Sequence, residues 1–165
     1  MNSSIDRFMA QQGFGDEEPS RRHWHFRALQ LQPWVLGVLV VVGIIFQWST
    51  LFFVLAAVLA WSVIVPAHNP FERLYDWVIG GPASMPKLDP APVPRRFAQG
   101  MAASFMAVTG ISLVSGWMIV AYIFEAFLLV AFIALIAGRF CMGSYVFHTL
   151  SGRGAFANST CPWSK

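Results

Sequence analysis

Charged side chains are scarce in this sequence. Asp, Glu, Lys and Arg make up 12% of its 165 residues, whereas 56% of the residues are hydrophobic. A soluble domain carries about twice that charged fraction to keep its surface hydrated, so the composition excludes an ordinary soluble enzyme. The 13 Gly and 10 Pro fall mostly between the apolar runs and follow no repeat, which also excludes collagen-like and low-complexity chains.

Several motifs are absent as well. The sequence has no Gly-x-x-x-x-Gly-Lys-Ser/Thr phosphate loop, no His-Glu-x-x-His zinc motif and no Gly-x-Ser-x-Gly nucleophile elbow. Its polar first thirty residues lack the apolar core of a signal peptide, so we expect them to form a mature cytoplasmic segment. The two cysteines belong to no Cys-x-x-Cys. We therefore expect no catalytic residue, no metal site and no enzyme activity.

Long uncharged runs are the dominant feature of what the sequence does contain. No Asp, Glu, Lys or Arg occurs from Ala28 to Phe71, a stretch too long for one crossing of about 20 residues. Polar residues at 47–50 divide this run, and residues 115–117 divide a second apolar block. We predict an all-α integral membrane protein with four transmembrane helices as two tandem hairpins: Leu31–Phe46, Thr50–Val65, Phe97–Ser115 and Met118–Gly138.

These helices divide the chain into five segments. Residues 1–28 are expected to form a polar cytoplasmic arm, 29–67 the first hairpin, 68–96 a Pro-rich cytoplasmic loop with an amphipathic segment, 97–138 the second hairpin, and 139–165 an amphipathic extension and cytoplasmic tail. Pro33 is expected in the first turn of the first membrane helix, where its missing N–H costs nothing. Residues 139–148 are expected to continue the fourth helix along the membrane surface.

The positive charges predict an orientation. All eleven Lys and Arg lie in the amino-terminal segment, the central loop and the carboxyl-terminal part, and none lies in a hairpin turn. The positive-inside rule assigns these three stretches to the cytoplasm, which predicts a multi-pass protein of a bacterial inner membrane with both termini cytoplasmic. Arg95 and Arg96 border an apolar helix, so we expect them to mark topology and contact lipid rather than nucleic acid.

Three motifs resemble those of a known family: NPFERLY at 69–75, PRRFAQ at 94–99 and GRFCMGSY at 138–145. Together they are similar to an uncharacterised family of small bacterial four-helix membrane proteins, a domain of unknown function, over roughly residues 31–150. The last motif of that family commonly reads Cys-x-Gly-Cys, whereas Ser144 takes the second cysteine position here. The resemblance implies the four-helix architecture and brings no activity with it.

Glu125 is the only charged residue inside the second apolar block. A carboxylate at membrane depth is costly unless it is protonated, hydrogen-bonded or beside a polar cavity. Two interpretations are open: a proton or cation relay, or an interfacial carboxyl that stays hydrated near the turn. We prefer the second, because no other ionisable group in the membrane block completes a relay.

Four other residues are candidates for chemistry. Cys141 would need a nearby cation such as Arg139 to act as a nucleophile. His68 and His148 fall at corresponding ends of the two halves and are weak candidates for ligating a haem or chlorophyll metal, with a polar cap at the interface as the simpler interpretation. Trp61, inside the second helix, is expected to face a lipid, a pigment or a neighbouring helix. No cofactor is predicted, although a bound lipid or pigment is compatible with the sequence.

The third helix carries a stripe of small residues at spacings of four or eight: Gly100, Ser104, Ser112 and Gly116. Small side chains let two helices approach closely. We therefore expect this stripe to form a helix-packing interface within the bundle.

Elimination leaves three hypotheses for the function. The preferred one is a non-catalytic accessory or assembly subunit beside a larger energy-transducing membrane complex, photosynthetic or respiratory, with lipids and other subunits as its partners. The first alternative is a small oligomeric transporter or channel that uses Glu125. The second alternative is a thiol-redox membrane protein that uses Cys141.

Overall fold

The computed structural model describes residues 4–75, 77 and 90–162, without the side chains of residues 19–21 and 23, and these residues form helices and no strand. The helices, in chain order, are α1 Ser4–Gln12, α2 Pro19–Phe46, α3 Ser49–Ile64, a 3₁₀ turn at Pro66–His68, α4 Pro70–Tyr75, α5 Val93–Val114, α6 Met118–Ile136, α7 Met142–Leu150 and α8 Gly154–Thr160. Most of the predicted central loop lies outside the described residues.

Helices α2, α3, α5 and α6 form a four-helix bundle. The short connections at 47–48 and 115–117 make α2 and α3, and α5 and α6, antiparallel neighbours, as the two predicted hairpins require. Helix α3 also packs along α5, and α2 along α6, which closes the ring. Apolar side chains from all four helices fill its centre, among them Leu36, Val40, Phe52, Leu59, Met106 and Leu128.

Three helical segments are long and apolar enough to cross a membrane: Trp24–Phe46, Val93–Val114 and Met118–Ile136. Helix α3 is equally apolar but has only 16 residues, which at 1.5 Å per residue gives about 24 Å against a hydrocarbon core of about 30 Å. By length and composition, the part of the chain that the structure describes therefore has three clear candidate membrane spans, where the sequence predicted four.

The first bundle helix begins well before its predicted start. Helix α2 begins at Pro19, so the predicted start at Leu31 was wrong and Pro33 lies inside the helix. The segment before Leu31 is polar in composition but continues the helix because one side of it is buried. The side chains of His25 and Leu29 on that side are almost completely inaccessible. A proline inside a membrane helix is tolerated where neighbouring helices support the backbone.

Four short helices cover the end of the bundle where α2 and α5 begin and α6 ends; we call this the capped end. Helix α1 folds back here, and its Phe8 and Met9 form a small apolar cluster with Phe14 and Leu29. Residues 1–28 therefore do not form a separate polar arm in the described part of the chain, because α1 buries an apolar face against α2.

Helix α7 is separate from α6. Helix α6 ends at Ile136, and Arg139 has a φ of 49°, a left-handed conformation that interrupts the helix. The predicted continuation of the fourth helix through residues 139–148 was therefore wrong. Helix α7 instead packs against α5, and Gly143 permits this contact, since a Cβ there would lie 2.6 Å from the Cβ of Ala98.

Candidate functional site

Arg95 lies in the first turn of α5 at the centre of a buried polar network. Its Nη2 donates to Oε1 of Gln32 at 2.9 Å and lies 3.5 Å from Oε1 of Glu72. Glu72 also accepts a hydrogen bond from Nδ2 of Asn69 at 3.1 Å. Because the Arg95 side chain is nearly inaccessible, the expected lipid contact of this residue was wrong. Its charge is tolerated in the interior because it is paired and hydrogen-bonded.

The network determines which way its amides point. Oε1 of Gln32 also accepts a hydrogen bond from Nε2 of Gln99 at 3.1 Å. Arginine has only donors, so the Gln32 atom that faces Arg95 must be the oxygen, and the Gln99 atom that faces this oxygen must be the nitrogen. This arrangement leaves Oε1 of Gln99 and Nε of Arg95 buried without a hydrogen-bond partner. The network therefore holds one unused acceptor and one unused donor.

A pocket of about 100 Å³ adjoins this network. Its polar lining comes from Arg95, Gln99, Gln32, Gln12 and Cys141 at the capped end. Its remaining lining is mainly apolar and extends toward the middle of the bundle, with Leu36, Leu59, Phe105, Leu128 and Phe132. The pocket is therefore amphipathic along its length, with polar side chains at the capped end and apolar side chains toward the middle of the bundle.

Cys141 precedes α7 and lines this pocket. Its side chain is buried, its backbone N–H donates to Oε1 of Gln11 at 2.8 Å, and it lies close enough to Arg95 to interact electrostatically with it. The structure thus brings together Cys141 and Arg95, which the sequence treated separately. The hydroxyl of Ser144, at the position of the family's second cysteine, donates to the carbonyl of Pro94 at 3.3 Å.

Arg96 joins two helices of the bundle. Its Nε and Nη2 donate to the carbonyl of Val63 at 3.0 and 2.8 Å. The last carbonyls of a helix lack partners within the helix, so Arg96 satisfies one at the end of α3. This contact gives Arg96 a structural role that its sequence neighbourhood did not indicate.

The small-residue stripe on α5 does not form one interface. Gly100 approaches Val63 of α3, and Ser112 is buried, whereas Ser104 is exposed and Gly116 lies in the turn with a φ of 74° and open space around it. Gly116 lies beyond the end of α5 at Val114 and Ser104 faces outward, so the predicted interface was wrong for Ser104 and Gly116.

A close contact between α3 and α5 lies at a glycine outside the predicted stripe. A Cβ on Gly110 would lie 3.0 Å from the ring of Phe53. The sequence does contain a signal for this contact. Glycine has low helix propensity, so a glycine in the interior of an apolar helix indicates that close packing requires it.

Glu125 is paired with a residue that the sequence had assigned only to a turn. Nε2 of Gln47 lies 3.2 and 3.4 Å from the two carboxylate oxygens of Glu125 and also donates to the carbonyl of Ile44 at 2.7 Å. Because Glu125 is only 3% exposed, the preferred interpretation of a hydrated carboxyl was wrong. Gln47 takes the place of water as the hydrogen-bond donor.

The candidates for pigment contact lie apart from one another. His68 is exposed at the end of the 3₁₀ turn, and Trp61 is exposed on the outer side of α3. His148 is buried, its Nε2 donates to the carbonyl of Gln11 at 3.0 Å, and its ring contacts Phe156. Among the described residues, no three His, Cys, Asp or Glu side chains cluster as a metal site would require.

The fold and the pocket define a class: small helical proteins with a capped end, whose described bundle contains three helices long and apolar enough to cross a membrane. Residues 26–151 match the family described as a domain of unknown function (DUF4395), and the chain belongs to this family. The match covers α2 from Phe26 onward, the other three bundle helices and α7, and leaves α1 and α8 outside it. No curated protein and no solved structure matches the chain.

Proposed function

We propose that this protein is a non-catalytic accessory or assembly subunit of a larger complex in a bacterial inner membrane. The observation that carries the proposal is an apolar stripe on each of two neighbouring helices. On α6 it consists of Ile119, Ile123, Phe127, Val130 and Ile133, and on α2 of Trp34, Val38, Val41 and Ile45, all of them exposed. Spacings of three and four residues keep each stripe on one helix face, so each stripe offers an apolar surface to lipid or to helices of another subunit.

The polar groups of the bundle support this proposal over transport. A transporter needs a polar path across the membrane. Glu125 is instead hydrogen-bonded to Gln47 at the end of the bundle that carries the two turns, and it does not line the pocket at the capped end. The two polar regions are therefore separate within the described residues. We expect uptake into proteoliposomes, if any is measured, to be unchanged by Glu125→Gln.

The proposal includes a four-span topology with both termini in the cytoplasm. Helix α3 and the 3₁₀ turn that follows it contribute about 24 and about 6 Å, which together match the hydrocarbon thickness of about 30 Å. Described cations such as Arg73, Arg139 and Arg153 belong to the segments at the capped end, and the two turns at the opposite end contain none. This asymmetry supports a cytoplasmic capped end.

Affinity purification in mild detergent tests the proposed role. We expect the tagged full-length chain to recover a larger assembly in fixed stoichiometry, with respiratory or photosynthetic complexes as the first to look for. Val130→Trp should release the protein from that assembly by adding bulk to the α6 stripe. Ile64→Trp, on the exposed surface of α3, is the matched control and should have no effect. Recovery of a lone monomer would contradict the proposal.

One observation favours a second candidate, thiol chemistry at Cys141. The residue shares its pocket with Arg95, so the pocket holds a thiol and a cation together. The experiment that decides is Cys141→Ser: a cellular phenotype identical to that of the unmodified protein would remove this candidate.

A further inference from the structure

We propose that α1 is a hinged lid over Cys141 and the adjoining pocket. In the closed state α1 lies across the capped end, and in the open state it swings away about Gly13 while the four-helix bundle stays folded. The lid thereby controls access to the thiol of Cys141. The proposal goes beyond the accessory role above, because it concerns access to the interior of the capped end rather than a partner on the outer surface.

Helix α1 covers the start of α7. Oε1 of Gln11 accepts a hydrogen bond from the backbone N–H of Cys141 at 2.8 Å, and Phe8 and Gln12 line the pocket beside it. Cys141 itself is only 5% exposed. Three side chains of one short helix therefore contribute to the enclosure of Cys141 and the pocket.

The attachment of α1 leaves buried polar groups without hydrogen-bond partners among the described residues. Nε2 of Gln11 is one such group. On α7, Nε2 of His148 donates to the carbonyl of Gln11 at 3.0 Å, whereas Nδ1 of the same ring is buried without a partner. Unpaired buried groups cost free energy, and Gln11 recovers its hydrogen bonds from water when α1 moves away. The closed state is therefore weakened at its polar contacts.

Two apolar side chains of α1 oppose opening. Phe8 and Met9 are almost completely buried in the small apolar cluster at the capped end. The ion pair between Asp6 and Arg22 lies near the surface, where such pairs contribute little. The closed state therefore depends mainly on two apolar side chains, and a unit with so few buried apolar contacts opens without unfolding of the whole protein.

Gly13 provides the hinge. It directly follows α1 and has a φ of 97°, a conformation that glycine adopts without strain. Beyond it, the ring of Phe14 lies 4.3 Å from the ring of His25, and Oε1 of Glu17 lies 2.7 Å from Nδ1 of the same histidine. These contacts hold the chain against α2 from Phe14 onward, so the motion is confined to residues 4–13.

Alkylation of Cys141 by N-ethylmaleimide measures the opening. The full-length protein in detergent carries Cys161→Ser, so that Cys141 is its only thiol. We expect slow labelling whose rate rises only weakly with urea, because opening of α1 exposes little surface compared with unfolding of the bundle. A urea dependence as steep as that of global unfolding would overturn the proposal.

Substitutions of two fully buried methionines separate the lid from the bundle. Met9→Gln weakens the attachment of α1 and should raise the labelling rate about tenfold, whereas Met106→Gln, in the centre of the bundle, should leave the rate nearly unchanged. Hydrogen exchange of residues 4–12 should become faster in Met9→Gln, and that of α5 should not. Equal acceleration of labelling by both substitutions, or none by Met9→Gln, would contradict a lid. If Met106→Gln fails to fold, the urea dependence decides.

Discussion

Nε2 of Gln47 lies 3.2 Å from the carboxylate Oε1 of Glu125, across 78 positions in the chain. The contact joins the turn after α2 to α6, on the opposite side of the bundle from the α3–α5 interface. Gln47 ends α2 in a left-handed conformation with a φ of 47°, so one residue both terminates a helix and satisfies a carboxyl at membrane depth.

Replacing Gln47 should therefore destabilise the bundle through Glu125. Gln47→Met keeps the length of the side chain but leaves the buried carboxyl without this donor, which costs about 1–3 kcal/mol. The combination with Glu125→Met should recover part of this loss, and a double-mutant cycle in detergent unfolding measures the coupling. Thr50→Met, at an exposed neighbouring site, is the control. Strict additivity of the two changes would contradict the interaction.

Removal of Arg95 should have a larger effect. Arg95→Leu removes the guanidinium that lies 3.5 Å from the buried carboxylate of Glu72, and breaking such a pair by removing one partner costs about 3–5 kcal/mol. Unfolding of the purified protein provides the measurement. Arg153→Leu, at an exposed position, should be close to neutral, and an equal effect of both changes would rule out the buried network as the cause.

Glycine at position 143 should be essential for the contact between α7 and α5. Gly143→Ala would bring its Cβ to 2.6 Å from the Cβ of Ala98 and 2.7 Å from its Cα, so the helices must separate at a cost of about 1–3 kcal/mol. Gly154→Ala adds the same methyl group where nothing lies within 4 Å. Comparing the midpoints of thermal unfolding checks this, and a similar stability of the two variants would argue against close packing of α7.

Cysteine labelling distinguishes three spans from four. Thr50→Cys and Ser115→Cys introduce thiols at the two turns, and Ser151→Cys introduces one at the capped end, each in a Cys161→Ser background. If α3 crosses the membrane, an impermeant maleimide applied to intact cells reaches both turn positions and reaches the Ser151→Cys site only after permeabilisation. If α3 does not cross, positions 50 and 115 lie on opposite sides of the membrane and only one of them reacts.

The positions of the bundle turns were predictable because they depend on local composition. The predicted starts and ends at Phe46, Thr50, Ser115 and Met118 agree with the structure to within one residue. Polar residues interrupt uniformly apolar helices at these places, and a helix that faces lipid is apolar on every side, so composition alone marks its extent. The same uniformity concealed which face of each helix packs inward.

The pairings of polar residues could not be predicted in this way. Arg95 and Gln32 are 63 positions apart, and Cys141 and Gln11 are 130 apart. Nothing in the residues near Arg95 distinguishes a buried arginine from a topology signal, because both border an apolar helix. The amphipathic helix α1 was missed for a similar reason: its apolar face is short and becomes stable only against α2 and the other helices of the capped end.

The sequence by itself determined the class of this protein. It has too few charged residues and too many long apolar runs for a hydrated surface, and both features can be recognised from neighbouring residues in the chain. Only the tertiary structure decided that Arg95 faces inward, that Glu125 is held by Gln47, and that a pocket lies beneath the capped end. Each of these depends on contacts between distant segments, and their energy is realised only when the bundle closes and excludes solvent.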